Sequence, residues 1–306
     1  MKIYINTIKE SWVIDRFKKE WLEFNNEFST STISNADIIW IIAPWTWKKI
    51  PKKFLKKKTV VCSIYHIDEK KFTPREKKEF QKRDEYVNKY HVISNRTKEQ
   101  VERLTNKEIT VIPFWINQDI WFEIDKSQIR NKYSFPEDRF LIGSFQRDTE
   151  GSDLFSPKLS KGPDIFINII SKMYKQNSNI EIILTGKRRN YIISELEKIG
   201  VNYHYFEMVD FSVLNELYNC LDLYIVSSRY EGGPQSILEC GITKTPIIST
   251  KVGIADEILS PKSIYDVDNF FQAKPDIETA YENSLKYVIP KGFKDYHNLF
   301  KDVYED

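Results

Sequence analysis

The feature that most constrains the fold is a largely apolar segment, residues 221–227, that is followed by a charged turn. A short apolar run of this kind is typical of a parallel strand that is buried on both faces. In the turn, Gly232 and Gly233 allow the backbone to approach a ligand closely, and Pro234 suits the first position of a helix. The sequence therefore predicts a strand, a tight turn and a helix.

The turn before this helix has the chemistry of a ligand site. Unpaired N–H groups at a helix N-terminus and the helix dipole stabilise an anion, above all a phosphate. Glu231 precedes the helix, and Glu239 lies about 7.5 Å along it from Pro234 at ~1.5 Å per residue. Carboxylates accept hydrogen bonds from hydroxyl groups. Together these residues indicate a ligand that carries both phosphate and sugar hydroxyls.

The spacing of the two glutamates resembles a known signature. Glu231 and Glu239 are separated as in the E-x7-E motif of retaining glycosyltransferases of family 4, which have the GT-B fold. The resemblance covers residues from about 90 to 260 well and is thin before that. Further segments that resemble the same family are residues 110–117, 140–145, 161–164, 182–186 and 246–257.

The resemblance implies an α/β enzyme of two Rossmann-like domains that face each other across a cleft. We expect a short acceptor-side domain at residues 1–125, a nucleotide-sugar-binding domain at residues 126–285, and a C-terminal helix at residues 286–306 that crosses back onto the first domain. Strands and helices alternate in both halves, which favours parallel sheets. The predicted strands are residues 2–6, 36–43, 59–65, 90–94, 110–113, 139–144, 181–185, 203–206, 221–227, 247–250 and 263–265.

The resemblance also assigns roles. Glu231 would contact hydroxyls of the donor sugar, Glu239 would accept hydrogen bonds from the ribose, and Lys161 would neutralise the diphosphate. His66, followed by Asp68, resembles the histidine at the catalytic cleft of the first domain. The catalytic candidates are thus Glu231, His66 and Lys161. The further donor-binding candidates are Gly143, Arg147, Gly186, Lys187, Gly232, Gly233, Pro234, Gln235 and Ser236.

Each candidate has a structural alternative. Glu231 would otherwise be a solvated loop charge, Glu239 a helix-surface residue, and His66 a structural histidine. A secondary hypothesis is that Lys187, Arg188 and Arg189 contact a phosphate or the edge of the base. In the first domain, residues 6–12 stand where the family usually has paired glycines, so the acceptor subsite is left undetermined.

We expect no metal and no cofactor. The acids of residues 146–160 lack a histidine or a tight cluster, and Asp266 and Asp268 follow the last weak strand rather than a nucleotide site. By resemblance, the donor is a UDP- or GDP-sugar, transfer retains the anomeric configuration, and the leaving phosphate oxygen assists deprotonation of the acceptor. The acceptor would be a glycan, a lipid-linked sugar or a polymer.

Charge is unevenly distributed. Residues 1–125 carry 24 Lys and Arg against 18 Asp and Glu, although the whole chain has a net charge of only +2. The densest basic segment runs from Lys48 to Lys58 and holds seven lysines with no acid. With Trp45, Trp47 and the apolar residues between the lysines, it suggests contact with an anionic membrane or polymer.

Two alternatives remain open at this stage. A basic first domain suits a transferase that modifies nucleic acid, although we rank that partner below a carbohydrate. A short, glycine-poor first domain also suits a non-catalytic module that binds a sugar or polyanion. The longest apolar runs, such as residues 38–43, are far shorter than a membrane span, and no signal-peptide layout is evident. We therefore expect a cytoplasmic location, either free or peripheral at the inner face of the membrane.

Overall fold

A computed structural model describes residues 1–6, 13–69 and 71–305. The chain divides into two units, of which the first combines Met1–Phe114 with Pro290–Asp306 and the second is Trp115–Ile289. Both units consist of a parallel sheet with helices between consecutive strands. The glycine-free segment after the first strand lies largely in residues 7–12, outside the described residues.

Within its described residues, the first unit contains a five-stranded parallel sheet whose strands are adjacent in chain order. The strands are β1 (Ile3–Ile5), β2 (Ile38–Ile41), β3 (Thr59–Ile64), β4 (Lys89–Val92) and β5 (Ile109–Val111). The helices between them are α1 (Val13–Phe24), α2 (Lys52–Leu55), α3 (Pro74–Asp84) and α4 (Asn95–Glu102). Local sequence explains one helix start: Thr73 and Glu76 form a reciprocal capping box before α3, with Pro74 at its first position.

The second unit, all of whose residues are described, contains a six-stranded parallel sheet. Its strands are β6 (Phe140–Ser144), β7 (Ile180–Thr185), β8 (Tyr203–Phe206), β9 (Leu223–Val226), β10 (Ile247–Thr250) and β11 (Ile264–Tyr265). Its helices are α5 (Lys126–Tyr133), α6 (Pro163–Gln176), α7 (Asn190–Ile199), α8 (Phe211–Asn219), α9 (Gln235–Ile242), α10 (Ala255–Ile258) and α11 (Ile277–Ser284). The order across the sheet is β11-β10-β9-β6-β7-β8, so the chain reverses direction across the sheet between β6 and β9.

Short 3-10 turns complete the connections. They are Asn26–Phe28, Ile33–Asn35, Pro44–Lys49, Leu159–Lys161, Pro261–Ser263, Phe270–Gln272, Leu285–Tyr287 and Lys291–Phe293. Strands β6, β7, β9 and β10 have buried side chains on both faces of the sheet, which belong to two separate apolar clusters. This double burial explains why the strand sequences read as continuous apolar runs rather than alternating ones.

The last helix, α12 (Lys294–Glu305), is part of the first unit. Its Phe300 packs edge-on against Trp21 of α1 at a ring separation of 5.5 Å and against Trp40 of β2 at 5.1 Å. Tyr296 is fully buried in the same cluster. These aromatic contacts bind the C-terminal segment to the N-terminal sheet.

The boundary between the units lies at Trp115, earlier in the chain than the expected position near residue 125. Ile116 pairs with the other end of the second unit, because its N–H donates to Tyr287 O at 2.9 Å and its carbonyl accepts from Ile289 N at 3.1 Å. Trp121 is fully buried and packs on Tyr218. The segment after Phe114 is therefore held by the core of the second unit.

Among the described residues, no helix combines the length and the apolar character that a membrane crossing needs.

Candidate functional site

The reversal of strand order in the second unit defines where a ligand is expected. In open parallel sheets, ligands bind beyond the carboxyl ends of the strands at such a reversal point. Gln146 follows β6 and Ser228 follows β9, and the Ser228 hydroxyl lies 3.2 Å from Gln146 Oε1. The two turns that leave the sheet here are therefore in direct contact.

Gly162 lies at the far end of the connection that begins with Gln146 and brings that end to the same point. This residue has a left-handed φ of 60°, and a Cβ on it would lie 1.8 Å from the carbonyl oxygen of Ser227. Because that atom belongs to the backbone, only glycine permits this approach. The neighbouring Lys161 carbonyl accepts hydrogen bonds from Gln146 Nε2 at 3.1 Å and from Ser227 Oγ at 3.3 Å. The backbone of Lys161 is thereby fixed beside the ends of β6 and β9.

Arg229 ties the same two turns together. Its N–H and that of Tyr230 both donate to the carbonyl of Ser160, at 2.9 and 3.1 Å. Its guanidinium donates two hydrogen bonds to Asp164, at 2.7 and 2.6 Å. This bidentate contact lowers the pKa of Asp164 and keeps the carboxylate ionised. Asp164 belongs to the segment 161–164 that resembles the family, but nothing in the sequence indicated that Arg229 pairs with it.

Lys161 and Glu231, two of the predicted catalytic residues, form an ion pair in this site. The Lys161 side chain is 24% exposed and that of Glu231 only 12%. Ser228 Oγ also lies 3.0 Å from Glu231 Oε1, so the hydroxyl can donate to the same carboxylate oxygen. A cation and a carboxylate that are partly withdrawn from water therefore face the ligand region together.

Glu239, the second glutamate of the motif, lies on α9 and is only 6% exposed. Its Oε2 accepts a hydrogen bond of 2.8 Å from the hydroxyl of Tyr218, on α8. Burial and the nearby carboxylate raise the pKa of Tyr218 well above its usual value, so the phenol stays protonated and remains a donor. The sequence offered no signal for this partner.

The glycine-proline turn differs slightly from expectation. Pro234 is the residue before α9 rather than its first helical residue, with φ −56° and ψ 115°. Gly232 and Pro234 are buried, whereas Gly233, Gln235 and Ser236 are half-buried. Gly253, after β10, packs on this turn so closely that a Cβ would lie 2.5 Å from Gly232 O. The turn that follows β10 thus packs directly against the glycine-proline turn.

Two other predicted donor-binding glycines have different surroundings. Gly143 lies within β6, where a Cβ would collide with Leu221 Cδ1 at 2.3 Å, so packing against the core accounts for it. Gly186 follows β7 with a left-handed φ of 89°, and no described atom lies within 4 Å of a Cβ on it. Its carbonyl accepts from the hydroxyl of Tyr205 at 3.0 Å. Gly186 therefore forms a turn with open space beside its backbone, and its role in donor binding stays a prediction.

Among the basic residues after β6 and β7, one is fully buried and the others are at least partly exposed. Arg189 is fully buried and donates to Asp148 Oδ2 at 2.8 Å and to the Thr185 carbonyl at 2.8 Å, so the idea that it binds phosphate is wrong. Arg147 donates through Nε to Thr149 O at 2.6 Å. Arg188 bonds to the carbonyl of Gly151, and Lys187 is exposed. Asp148 and Arg189 are a structural pair that joins the ends of neighbouring strands.

The remaining predicted residues lie elsewhere. His66 is exposed in the first unit, two residues after β3 ends. Asp266 and Asp268 are exposed in the turn after β11. In the part of the chain that the structure describes, no group of three His, Cys, Asp or Glu side chains is arranged to hold a metal ion. The role of His66 and the absence of a metal both stay predictions.

The lysine-rich segment of the first unit has its apolar residues turned inward. Trp47, Ile50 and Leu55 are 7, 5 and 3% exposed and belong to the core, so these three side chains do not take part in the expected contact with a membrane or polymer. Trp45 is 52% exposed. The exposed lysines of the segment are Lys48, Lys49, Lys52, Lys53, Lys56 and Lys57.

Comparison with known proteins bears on this site and on the fold. Residues 154–287, which include Lys161, Arg229, Glu231 and Glu239, match the model of a family described as glycosyl transferases group 1. An uncharacterized glycosyltransferase of Methanocaldococcus jannaschii is 27% identical over 237 residues, which cover 72% of this chain and 58% of that protein. The chain therefore spans somewhat more than half the length of this relative.

Solved structures match nearly the whole chain. HepE of Anabaena, in complex with UDP and glucose, has a TM-score of 0.74 at 11% identity, covering 99% of this chain and 100% of that one. Sucrose-phosphate synthase of Thermosynechococcus elongatus has a TM-score of 0.72 at 12% identity, with 98% and 81% covered. The lipopolysaccharide outer core galactosyltransferase WaaB, in its apo form, has a TM-score of 0.69 at 13% identity, with 99% and 100% covered. The chain has the expected two-domain, Rossmann-like GT-B fold, and its second unit carries the segment that matches the glycosyl transferases group 1 family.

Proposed function

We propose that this protein is a retaining glycosyltransferase of the family 4 type, which moves a sugar from a UDP- or GDP-sugar to a glycan, a lipid-linked sugar or a polymer. The observation that carries the proposal is the meeting of Lys161 and Glu231 at the strand reversal, beside the start of α9. A nucleotide sugar presents a diphosphate and hydroxyl groups side by side. The pair offers a cation to the first and a carboxylate acceptor to the second.

The roles follow from the charges. When the glycosidic bond to the diphosphate breaks, negative charge develops on the leaving oxygen, and a fixed cation stabilises it without reorganising. Lys161 supplies that cation, assisted by Arg147 and by the amides at the start of α9. Glu231 holds hydroxyls of the transferred sugar, and Glu239 holds the ribose. In retaining transfer of this kind, the leaving phosphate oxygen takes the proton of the acceptor on the same face of the sugar.

No metal or cofactor has a role in this proposal, because Lys161 and the helix amides neutralise the phosphate charge. His66 is proposed to act on the acceptor side from the first unit. The matched structures support the choice of donor, since HepE is described in complexes with UDP and with UDP-glucose and WaaB as a galactosyltransferase. UDP-hexoses are accordingly the first donors to test.

A thermal-shift screen of nucleotides and nucleotide sugars tests the donor assignment. A ligand at 100 times its dissociation constant stabilises the folded protein by about 2.7 kcal/mol, which is readily measured. One base should give a larger shift than the others, and the anomeric configuration of the product then decides between retention and inversion. If no nucleotide raises the melting temperature, the proposed donor site is refuted.

Two alternatives make different predictions. A non-catalytic module would bind a sugar nucleotide without releasing the nucleoside diphosphate, so detectable release excludes it. A transferase that acts on nucleic acid would bind DNA or RNA with strong salt dependence. Weak or salt-insensitive binding of DNA and RNA would exclude this alternative and favour a carbohydrate acceptor.

We also propose that the exposed lysines of the segment from Lys48 to Lys58 contact the anionic inner face of the cytoplasmic membrane, which would bring a lipid-linked acceptor to the enzyme. Six exposed lysines support it, because each cation near an anionic surface adds about 1 kcal/mol of attraction. The contact would be electrostatic, since Ile50 and Leu55 of the segment are buried and Phe54 is only half-buried, which leaves Trp45, before the segment, as an exposed aromatic side chain.

A further inference from the structure

We propose that Glu231 competes with the diphosphate for Lys161, so that the site favours a nucleotide that still carries its sugar over the free nucleoside diphosphate. This inference rests on the proposed function, because it takes the diphosphate to bind at Lys161. Its starting point is the ion pair between Lys161 and Glu231, whose side chains are 24 and 12% exposed. In the protein without donor, the cation already has an anionic partner.

The backbone of Lys161 is held in place, so the lysine cannot shift to separate the Glu231 carboxylate from the diphosphate. Its carbonyl is held by Gln146 Nε2 and Ser227 Oγ, and the adjoining Gly162 lies against the backbone of Ser227. Glu231 is likewise held, because Arg229, two residues earlier, is fixed by Asp164 and by the carbonyl of Ser160. A diphosphate that reaches Lys161 therefore arrives beside the Glu231 carboxylate, and like charges at such a distance repel.

Two other basic residues of these turns, Arg229 and Arg189, give little relief from this repulsion. The Arg229 guanidinium makes a bidentate contact with Asp164, and Arg189 is buried against Asp148. Breaking either pair would leave a carboxylate without its cation in a partly or fully buried position. Among these three basic residues, Lys161 is the one whose carboxylate partner also faces the proposed ligand region.

The sugar determines how strongly Glu231 opposes binding of the nucleotide. The hydroxyl groups of a donor sugar can donate to Glu231 when Lys161 turns to the diphosphate, so the carboxylate exchanges one partner for others. A free nucleoside diphosphate has no hydroxyl at that position and leaves the carboxylate facing phosphate charge. After transfer, Glu231 would return to Lys161 and weaken the hold on the product. The pair thus discriminates substrate from product and promotes product release.

Isothermal titration calorimetry with UDP, GDP and their glucose and mannose derivatives tests this idea on the whole chain. Glu231→Gln keeps the shape of the side chain and removes its charge. It should bind the free diphosphate roughly tenfold more tightly than the wild type, the effect of one charged contact discounted for partial exposure. The nucleotide sugar should gain less, so the affinity ratio of sugar nucleotide to diphosphate falls. Glu195→Gln, which removes a surface pair with Lys198 in the same unit, is the matched control and should change neither affinity.

Two further variants make the test decisive. Glu231→Asp shortens the carboxylate and should shift diphosphate affinity in the same direction, which covers the case in which Glu231→Gln does not fold. In a Lys161→Met background, Glu231→Gln should tighten diphosphate binding much less than in the wild-type background, because the competition needs the lysine and only the direct repulsion between carboxylate and phosphate is left. An unchanged affinity ratio in Glu231→Gln or Glu231→Asp, with the wild type binding normally, overturns the inference alone. If the wild type binds no nucleotide at all, the proposed function fails and the inference falls with it.

Discussion

Charged residues are organised differently in two regions of this molecule. In the second unit, the turns after β6, β7 and β9 hold oppositely charged side chains in contact, as in Lys161–Glu231, Arg229–Asp164 and Arg189–Asp148. In the first unit, the segment from Lys48 to Lys58 presents lysines to solvent while its apolar residues fill the core.

The difference teaches what each region can recognise. Paired charges that are fixed by backbone contacts define positions in space, as a small ligand with several functional groups requires. Exposed lysines on flexible side chains define only a sign of charge, which suits an extended anionic surface. The predictions below test this contrast, in order of their expected effect on transfer to a soluble acceptor.

Replacing Lys161 should have the largest effect. Lys161→Ala removes the cation that stabilises the leaving diphosphate, and we expect a fall in kcat of roughly 100- to 1,000-fold. Lys198→Ala, which removes a surface lysine paired with Glu195, is the control and should retain activity. Steady-state kinetics in EDTA complete the test, because this mechanism needs no metal. Activity that disappears in EDTA and returns with Mg²⁺ or Mn²⁺ would contradict the assignment of phosphate neutralisation to Lys161.

Replacing Glu239 should weaken nucleotide binding. Glu239→Gln keeps the contact with Tyr218 possible but removes the charged acceptor for the ribose, at a cost of about 1–3 kcal/mol. Calorimetry should therefore show weaker affinity for both the diphosphate and the nucleotide sugar, in contrast to Glu231→Gln. Tyr218→Phe is the matched variant, because it removes the protein partner of the same carboxylate. If Glu239→Gln binds nucleotides like the wild type, its side chain has a structural role alone.

Weakening the contact between Arg229 and Asp164 should have a smaller effect. Arg229→Lys keeps the charge but loses the two parallel hydrogen bonds that align the turns carrying Lys161 and Glu231. Because both side chains are about one-third exposed, we expect a loss of roughly three- to tenfold, mainly in kcat rather than in KM. Lys132→Met, which breaks a surface pair with Glu216, serves as the control. A rise in KM of the same size, with kcat unchanged, would mean that the pair does not position the reacting groups.

Much of the fold followed from local sequence. The apolar strands, the glycines after them and the E-x7-E spacing are all short-range patterns, and they placed Glu231 before one helix and Glu239 within it. The parallel sheets followed from the alternation of strands and helices. The domain boundary did not follow, because the pairing of Ile116 with Tyr287 and Ile289 joins residues that are distant in the chain.

The partners within the site could not be predicted for the same reason. Asp164 and Arg229 are 65 residues apart, and Tyr218 and Glu239 are 21 residues apart on different helices. No local pattern identifies such pairs. Arg189 shows the converse error, since a basic residue after a strand resembles a phosphate ligand until burial against Asp148 is known. Likewise, the apolar residues between the lysines have the spacing of either a core face or a membrane face, and only the fold decides between them.

The last prediction concerns these lysines and should leave soluble transfer unchanged. Replacing Lys52, Lys53, Lys56 and Lys57 with serine removes four exposed charges, each of which contributes about 1 kcal/mol near an anionic lipid surface. The variant should separate from acidic vesicles in cosedimentation at low salt, and 1 M salt should release the wild type as well, because the Debye length falls to about 3 Å. Trp45→Ala is the comparison, since an insertion mechanism would depend on the one large apolar side chain of this region that is half exposed. If the wild type does not bind acidic vesicles at low salt, the lysines form an ordinary solvated surface. If binding survives 1 M salt but not the loss of Trp45, insertion rather than charge holds the protein on the membrane, and the contrast between the two regions fails.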